Sequence, residues 1–273
     1  LNPLFFDNSV FDFYSSIFNG ASLVIFQEED LAQPKVLIEK VDSLRCTQWF
    51  SVPSLLIYVN TLKAFKVSNM KFMKKIIFGG EGYPKTKLKK LYELYSKRIK
   101  FHNVYGPTEC TCMCSSYEIK DKDFKTLKGL PPLGKIADNF GYLILDDDKP
   151  VKDNKEGELC LLGPCVGKGY YNDRARTRKV FTQNPAHNLF QEKIYRTGDI
   201  VVKKNDRNLY FLSRKDNQIK HMGYRIELEE IESAANRLHY VNESVAFHGF
   251  INNISSIHLV VSISKAIDIT VLK

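Results

Sequence analysis

The sequence predicts an α/β fold: a parallel-sheet βα subdomain, then an antiparallel, β-barrel-like layer, then a partial small α+β C-terminal lobe. Three observations carry this. Strand-like and helix-like segments alternate up to about residue 110, the pattern of βα units on a parallel sheet. After about residue 130 the chain reads as successive strands joined by charged turns. Past residue 214 a helical stripe and two further strands follow.

In order, "ASLVIF" (21–26) is a short apolar β run after Gly20. "PKVLIEKVDSL" (34–44) has helical spacing, with Pro34 suited to a first turn. "TQWFSV" (47–52) is strand-like and stops at Pro53, and "KKIIFGG" (74–80) is a strand running into a glycine pair. Residues 85–98 place Leu88, Leu91, Tyr92 and Tyr95 on one helix face, and "IKFHNV" (99–104) is the next strand. Residues 141–163 predict two strands around a charged turn, and 199–213 a hairpin with the loop "KKNDRN". Residues 225–241 predict a helix with Leu228, Ile231, Ala235 and Leu238 on one stripe; strands follow at 243–250 and 256–264. The domain boundary is expected at 214–216, giving a large domain over 1–213 and a second, smaller one over 214–273. No internal repeat or low-complexity tract interrupts this order.

The net charge is +9 over 273 residues, which raises nucleic acid as a partner. The lysines are scattered along helices and turns, as in "KTKLKKLYELYSKR" (85–98), and no nucleic-acid module accompanies them, so solvated helix faces are expected. An anionic small molecule or an acidic partner protein suits the charge. No apolar run approaches the roughly 20 residues of a spanning helix, so no membrane insertion is expected. The six cysteines sit in apolar, strand-like segments, which points to reduced thiols and a cytoplasmic setting. Cys110, Cys112 and Cys114 alternate; an apolar strand is expected over soft-metal binding, because no paired Cys-x₂-Cys motif is present.

In an open parallel sheet, ligands sit at the carboxyl ends of the strands. Three segments lie there: "FFDNSVFD" (5–12), "FGGEGYP" (78–84) and "VYGPTEC" (104–110). Gly79 and Gly80 let backbone approach a flat ligand. Tyr105 can stack on a purine, Thr108 can donate to a phosphate oxygen, and Glu109 offers Mg²⁺ a hard oxygen. "YRTGD" (195–199) is expected to deliver Asp199 from a tight turn, where one carboxylate accepts from both hydroxyls of a ribose. Singly these are turn residues; in this order they describe a nucleoside triphosphate site.

The chain resembles the adenylate-forming superfamily, in its amino-acid-activating branch. That branch holds the adenylation domains of nonribosomal peptide synthetases and the D-alanine:carrier-protein ligases. The matching residues are "FDNSVFDFYSSIFNGASLVI" (6–25), "GGEGYP" (79–84), "NVYGPTEC" (103–110), "GELCLLGPCVGKGYYND" (157–173), "YRTGD" (195–199) and "SRKDNQIKHMGYRIELEEIE" (213–232). The resemblance implies an AMP-binding ligase using ATP and Mg²⁺. It would activate an amino acid to aminoacyl-AMP, then pass it to the phosphopantetheine thiol of a carrier protein. A substrate carboxylate with pKa about 3.5 is already ionised, so the first step needs alignment and charge neutralisation rather than a base.

Carried onto this chain, the resemblance puts adenine against Tyr105, with Gly79, Gly80, Glu81, Asn103 and Gly106 around the nucleotide. Thr108 and Glu109 become the catalytic pair, Glu109 also the metal ligand, and Asp199 with Arg214 the ribose holders. Asp7 would pair with the substrate ammonium, while Asp12 is expected on a helix face. Asn8, Phe11, Ser54, Ile77, Gly79, Val104, Cys112 and Met113 would line a side-chain pocket for a neutral, modest-sized residue. Asp216 corresponds to a hinge, and the loop around Gly223 to the segment that approaches the thioester site. Gly79 stands where D-alanine ligases typically carry Cys, whereas the compact "GYRIELEEIE" suits that group.

Two family elements have no counterpart: the Ser/Thr/Gly-rich phosphate loop, and a C-terminal lysine in a Gly-Lys motif, a context that Lys265 and Lys273 lack. The expectation is a fragment cut at both ends, feeble in adenylation by itself, with an inactive nucleotide- or acyl-binding module as the rival.

Overall fold

The computed structural model describes residues 2–251 and 254–263; Lys265 and Lys273 lie outside them. The chain divides into two compact units, Leu1–Lys215 and Asp216–Lys273.

The first unit opens with helix α1 (Asn8–Ile17), which carries Asp12 half-buried on its face, followed by α2 (Glu28–Ala32) and α3 (Pro34–Ser43), where Pro34 takes the first turn. Residues 21–26, expected as a strand, form none. A β-type sequence becomes a strand only where a neighbour supplies ladder partners, and no described strand flanks it; Ile25 is left 77% exposed. Strand β1 (Gln48–Ser51) is followed at once by α4 (Pro53–Thr61), β2 (Lys75–Gly79), α5 (Lys85–Tyr95) and β3 (Lys100–Tyr105). Pro53 ends the strand and also opens the helix, because a proline at the first position lacks only an N–H that the helix cannot use.

β1, β2 and β3 are parallel, with Trp49 opposite Ile76 and Ile76 opposite Phe101. The sheet continues antiparallel through β4 (Ser115–Glu118) and β5 (Lys135–Ile136). Side chains alternate across it. One face packs Trp49, Ile76, Phe78 and Phe101 against Leu37, Leu56, Leu88 and Leu91 of the helices. The other face carries Phe50, Ile77 and Val104, covered by Phe11 and Met113.

The antiparallel layer comprises β6 (Gly141–Asp146), β7 (Lys149–Pro150), β8 (Glu156–Leu162), α6 (Arg174–Val180), β9 (Phe181–Gln183), β10 (Lys193–Lys203) and β11 (Leu209–Arg214). Its order is β11-β10-β8-β6-β7, with β9 also on β10. The core of this layer is Leu159, Leu161, Tyr195, Val201 and Leu209, and it includes Tyr105 from the end of β3.

In the second unit, β12 (Gln218–His221) and β13 (Tyr224–Glu227) form a hairpin, followed by α7 (Leu228–Ala235), β14 (Val241–Ile251) and β15 (Ile254–Ile263). The helix expected over 225–241 is therefore shorter. Residues 224–227 give their backbone groups to the β12 ladder, and 236–240 turn back toward β14 after Leu228 and Ala235 have been buried. Among the described residues, no helix is long and apolar enough to cross a membrane.

Phe78 is fully buried and meets Tyr83 edge-on at 5.0 Å, whereas Phe18 is 77% exposed. Phe78→Ala is expected to cost about 3–5 kcal/mol, and Phe18→Ala less than about 0.5 kcal/mol. Urea unfolding of the two variants checks the difference.

Candidate functional site

The parallel register sets β1, β2 and β3 level, Ser51 beside Phe78 and Gly79 beside Val104. The segments that follow them, Val52 with the first turn of α4, residues 80–81 and residues 106–109, therefore leave from one rim. Gly79 touches its neighbour so closely that a Cβ would lie 2.5 Å from the Val104 carbonyl oxygen. Gly106 is tighter still: a Cβ there would meet the Cys112 carbonyl oxygen at 2.4 Å. The cause is a chain reversal. A 3₁₀ turn (Thr108–Cys110) is followed by Thr111 at φ +65° and Cys112 at φ +71°, and Cys114 then donates its N–H to Tyr105 O at 2.8 Å. The apolar strand expected for Cys110, Cys112 and Cys114 is thus a buried loop, since the left-handed backbone at 111–112 ends any pleat. Burial pushes the Cys112 and Cys114 thiols up to about 12, so both stay neutral. Among the described residues, no group of three His, Cys, Asp or Glu could hold a metal ion.

A buried polar contact on the rim joins the two sheets. Tyr105 donates its hydroxyl to Asp199 Oδ2 at 2.5 Å, and Arg214 Nη1 donates to Asp199 Oδ1 at 2.8 Å and to Thr197 O at 2.7 Å. Asp199 is 5% exposed, and the guanidinium is the counter-charge that a buried carboxylate requires. Burial first, and the Asp199 carboxylate second, raise Tyr105 well above the ordinary tyrosine value, which keeps the phenol a donor.

"YRTGD" is not the expected tight turn. It lies inside β10, where the register against β8 slips between Arg196 and Ile200 and Gly198 takes φ +72°. Buried Glu158 holds this bulge, accepting Gly198 N at 3.1 Å and Arg196 Nη1 at 3.2 Å. A bulge re-aims a side chain without leaving the sheet, and here it brings Asp199 to Tyr105.

Glu109 sits in the 3₁₀ turn, half-buried, with Tyr170 donating to its Oε1 at 2.5 Å. Thr108 beside it is exposed. Glu81 Oε2 accepts Ser54 N at 3.0 Å in the first turn of α4, and a Cβ on exposed Gly80 would stand 3.7 Å from Asn8 Nδ2. The Asn103 amide instead serves packing, donating to Pro132 O at 2.8 Å.

Asp7 stands at the N-cap of α1 but makes no side-chain cap there; its Oδ2 accepts Cys112 N at 3.1 Å. Phe11 meets Phe50 edge-on at 4.9 Å, within the cluster that holds Ile77, Val104 and Met113. The structure therefore gathers Asp7, Phe11, Ile77, Val104, Cys112 and Met113 from four separate segments. Sequence reading missed Phe50, Glu158 and Tyr170. Period-two alternation from Trp49 would have given Phe50; the other two lie within the matching stretch 157–173, which by itself names no partner for either. In the second unit, Asp216 Oδ1 accepts Gln218 N at 3.3 Å, and Gly223 occupies the β12–β13 turn at φ +86°.

Residues 1–171 match the AMP-binding family, described as AMP-binding enzyme. The chain is 34% identical over 246 residues to a D-alanine–D-alanyl carrier protein ligase of Bacillus licheniformis, covering 89% of this chain and 47% of that protein. It is 34% identical over 243 residues to bacitracin synthase 1 of Bacillus licheniformis, covering 88% of this chain and 4% of that protein. A solved Vibrio cholerae adenylation domain, AlmE, in complex with glycyl-adenosine-5'-phosphate, matches with a TM-score of 0.75 and 28% identity, over 89% of this chain and 45% of that chain. The chain thus spans about half the length of the ligase, and far less of the synthase.

Arg214→Ala would strand the Asp199 carboxylate. A loss of about 3 kcal/mol or more is expected, read by chemical denaturation, with Arg214→Lys recovering part of it.

Proposed function

The chain belongs to the AMP-binding enzyme family, and from that membership we propose that it is part of an ATP-dependent amino-acid-activating ligase that loads a phosphopantetheine-bearing carrier protein. The observation that carries this reading is the placement of Asp7. Its carboxylate accepts the Cys112 N–H, next to Met113 of the Phe50–Ile77–Val104 cluster, and Tyr105 at the end of β3 reaches Asp199.

An ammonium taken out of water needs an opposite charge, and Asp7 supplies it. The side chain of the amino acid then faces Phe11, Ile77, Val104 and Met113, with Gly79 closed by Val104 behind it. That suits a neutral, modest-sized residue, D-alanine among them. Asn8, Ser54 and Cys112 complete the lining.

Adenine lies against Tyr105 and the Gly79–Gly80–Glu81 backbone, near Asn103 and Gly106. The ribose hydroxyls are taken by Asp199, which Arg214 holds in an ion pair. Thr108 donates to a phosphate oxygen. The half-buried Glu109 carboxylate would offer a hard divalent cation one oxygen ligand. Bound there, Mg²⁺ would neutralise charge on the phosphates. The substrate carboxylate oxygen bonds to the α-phosphorus as the bond to pyrophosphate breaks. No side chain need remove a proton, because the nucleophile is already an anion. Asp216 is the hinge of the second unit in this reading, and Gly223 lies in its thioester loop.

ATP–pyrophosphate exchange over an amino-acid panel, on the complete natural polypeptide, tests this. A small neutral amino acid is expected to give the highest rate. Asp7→Ala should lower that rate about a hundredfold, equivalent to roughly 3 kcal/mol of lost ion pairing. An unchanged rate removes the substrate class.

A further inference from the structure

We infer that Tyr170 is a positioning residue for Glu109, setting the metal affinity of the nucleotide site from a loop far along the chain. The inference rests on the nucleotide reading above and goes beyond it by naming the group that aims the metal carboxylate.

A glutamate on a short turn has three rotatable side-chain bonds, and a ligand must be held in one arrangement. The hold on Glu109 comes from outside its own turn. The loop at 163–173 presses on it twice: Gly167 N donates to Glu109 O at 2.8 Å, and the Tyr170 hydroxyl donates to Glu109 Oε1 at 2.5 Å. Thr111 Oγ1 adds a third tie, to Cys165 O at 3.2 Å. Tyr170 is itself braced. Its ring meets Phe181 edge-on at 5.7 Å and lies under the Arg176 guanidinium at 4.8 Å, and its N–H donates to Thr177 Oγ1 at 2.9 Å. Arg176 and Thr177 belong to α6, whose start is capped by Asp173 Oδ1 accepting Arg176 N at 2.8 Å. The rigidity of a capped helix thus passes through one aromatic ring to one carboxylate oxygen. The adjacent Tyr171 is 98% exposed, which makes it a control of identical chemistry.

Groups that hydrogen-bond to a metal-ligating side chain are worth about 10–100-fold in metal affinity. The experiment measures binding of a fluorescent ATP analogue to the complete natural polypeptide by anisotropy, as Mg²⁺ is titrated. Tyr170→Phe keeps the ring and its packing and removes only the hydroxyl. It is expected to raise the Mg²⁺ concentration at half-effect about tenfold, while analogue affinity in EDTA and the melting temperature stay unchanged. Tyr171→Phe should match the parent protein. Glu109→Gln should raise the requirement further, and adding Tyr170→Phe to it should change nothing more, because both act through one carboxylate. If Tyr170→Phe leaves the Mg²⁺ requirement unchanged or lowers it while Glu109→Gln raises it, the role of Tyr170 is overturned and the nucleotide reading stands. If Glu109→Gln has no effect either, or no analogue binds, the nucleotide reading fails and this inference fails with it.

Discussion

The carboxylate of Asp199 receives the Tyr105 hydroxyl from 94 residues upstream and the Arg214 guanidinium from 15 residues downstream. It is the polar point at which the end of a parallel strand, the middle of an antiparallel one and the last residue of β11 meet. A buried carboxylate with one partner removed costs about 3–5 kcal/mol, so each of the three elements is held to the others by electrostatics as well as packing. The bulge held by Glu158 exists to the same effect, since an unbroken β10 ladder would point residue 199 elsewhere.

From that junction the site follows. Level registry in β1, β2 and β3 sends three loops out at one rim, and the reversal at 111–112 folds the chain back so that Cys112 offers its N–H to Asp7. One rim therefore carries two unlike environments. Beside Asp7 stands the apolar cluster of Phe50, Ile77 and Val104, where the Asp7 carboxylate offers an ammonium its counter-charge. At the Tyr105 hydroxyl stands the Asp199 carboxylate, and at Glu109 the Tyr170 hydroxyl, groups that the proposed reading gives to a ribose and to a metal-bound phosphate. A molecule joining an amino acid to AMP presents those features in that order, which is why the two halves make sense together.

Much of this was legible in the sequence because it is local. The strands near 48–51, 75–79 and 100–105 announce themselves as apolar runs ending at proline or glycine, and the helix at 85–95 shows its buried stripe at Leu88, Leu91 and Tyr95. The segment at 21–26 misled because its β character has no described strand to pair with. The cysteine loop misled because alternation alone does not reveal two successive positive φ values. "YRTGD" gave the right residue, Asp199, from the wrong geometry, since a bulge depends on Glu158, some forty residues earlier. Tyr170 was out of reach for the same reason: its partner Glu109 lies 61 residues away.

The central claim is that one ligand spans both environments, ribose on Asp199 and amine on Asp7. A crystal structure of the complete polypeptide with a non-hydrolysable aminoacyl-AMP analogue tests it most directly. The account predicts ribose hydroxyls within hydrogen-bonding distance of Asp199 and the ligand amine against the Asp7 carboxylate. An analogue bound away from Asp199, or with its amine turned from Asp7 toward solvent, would contradict it.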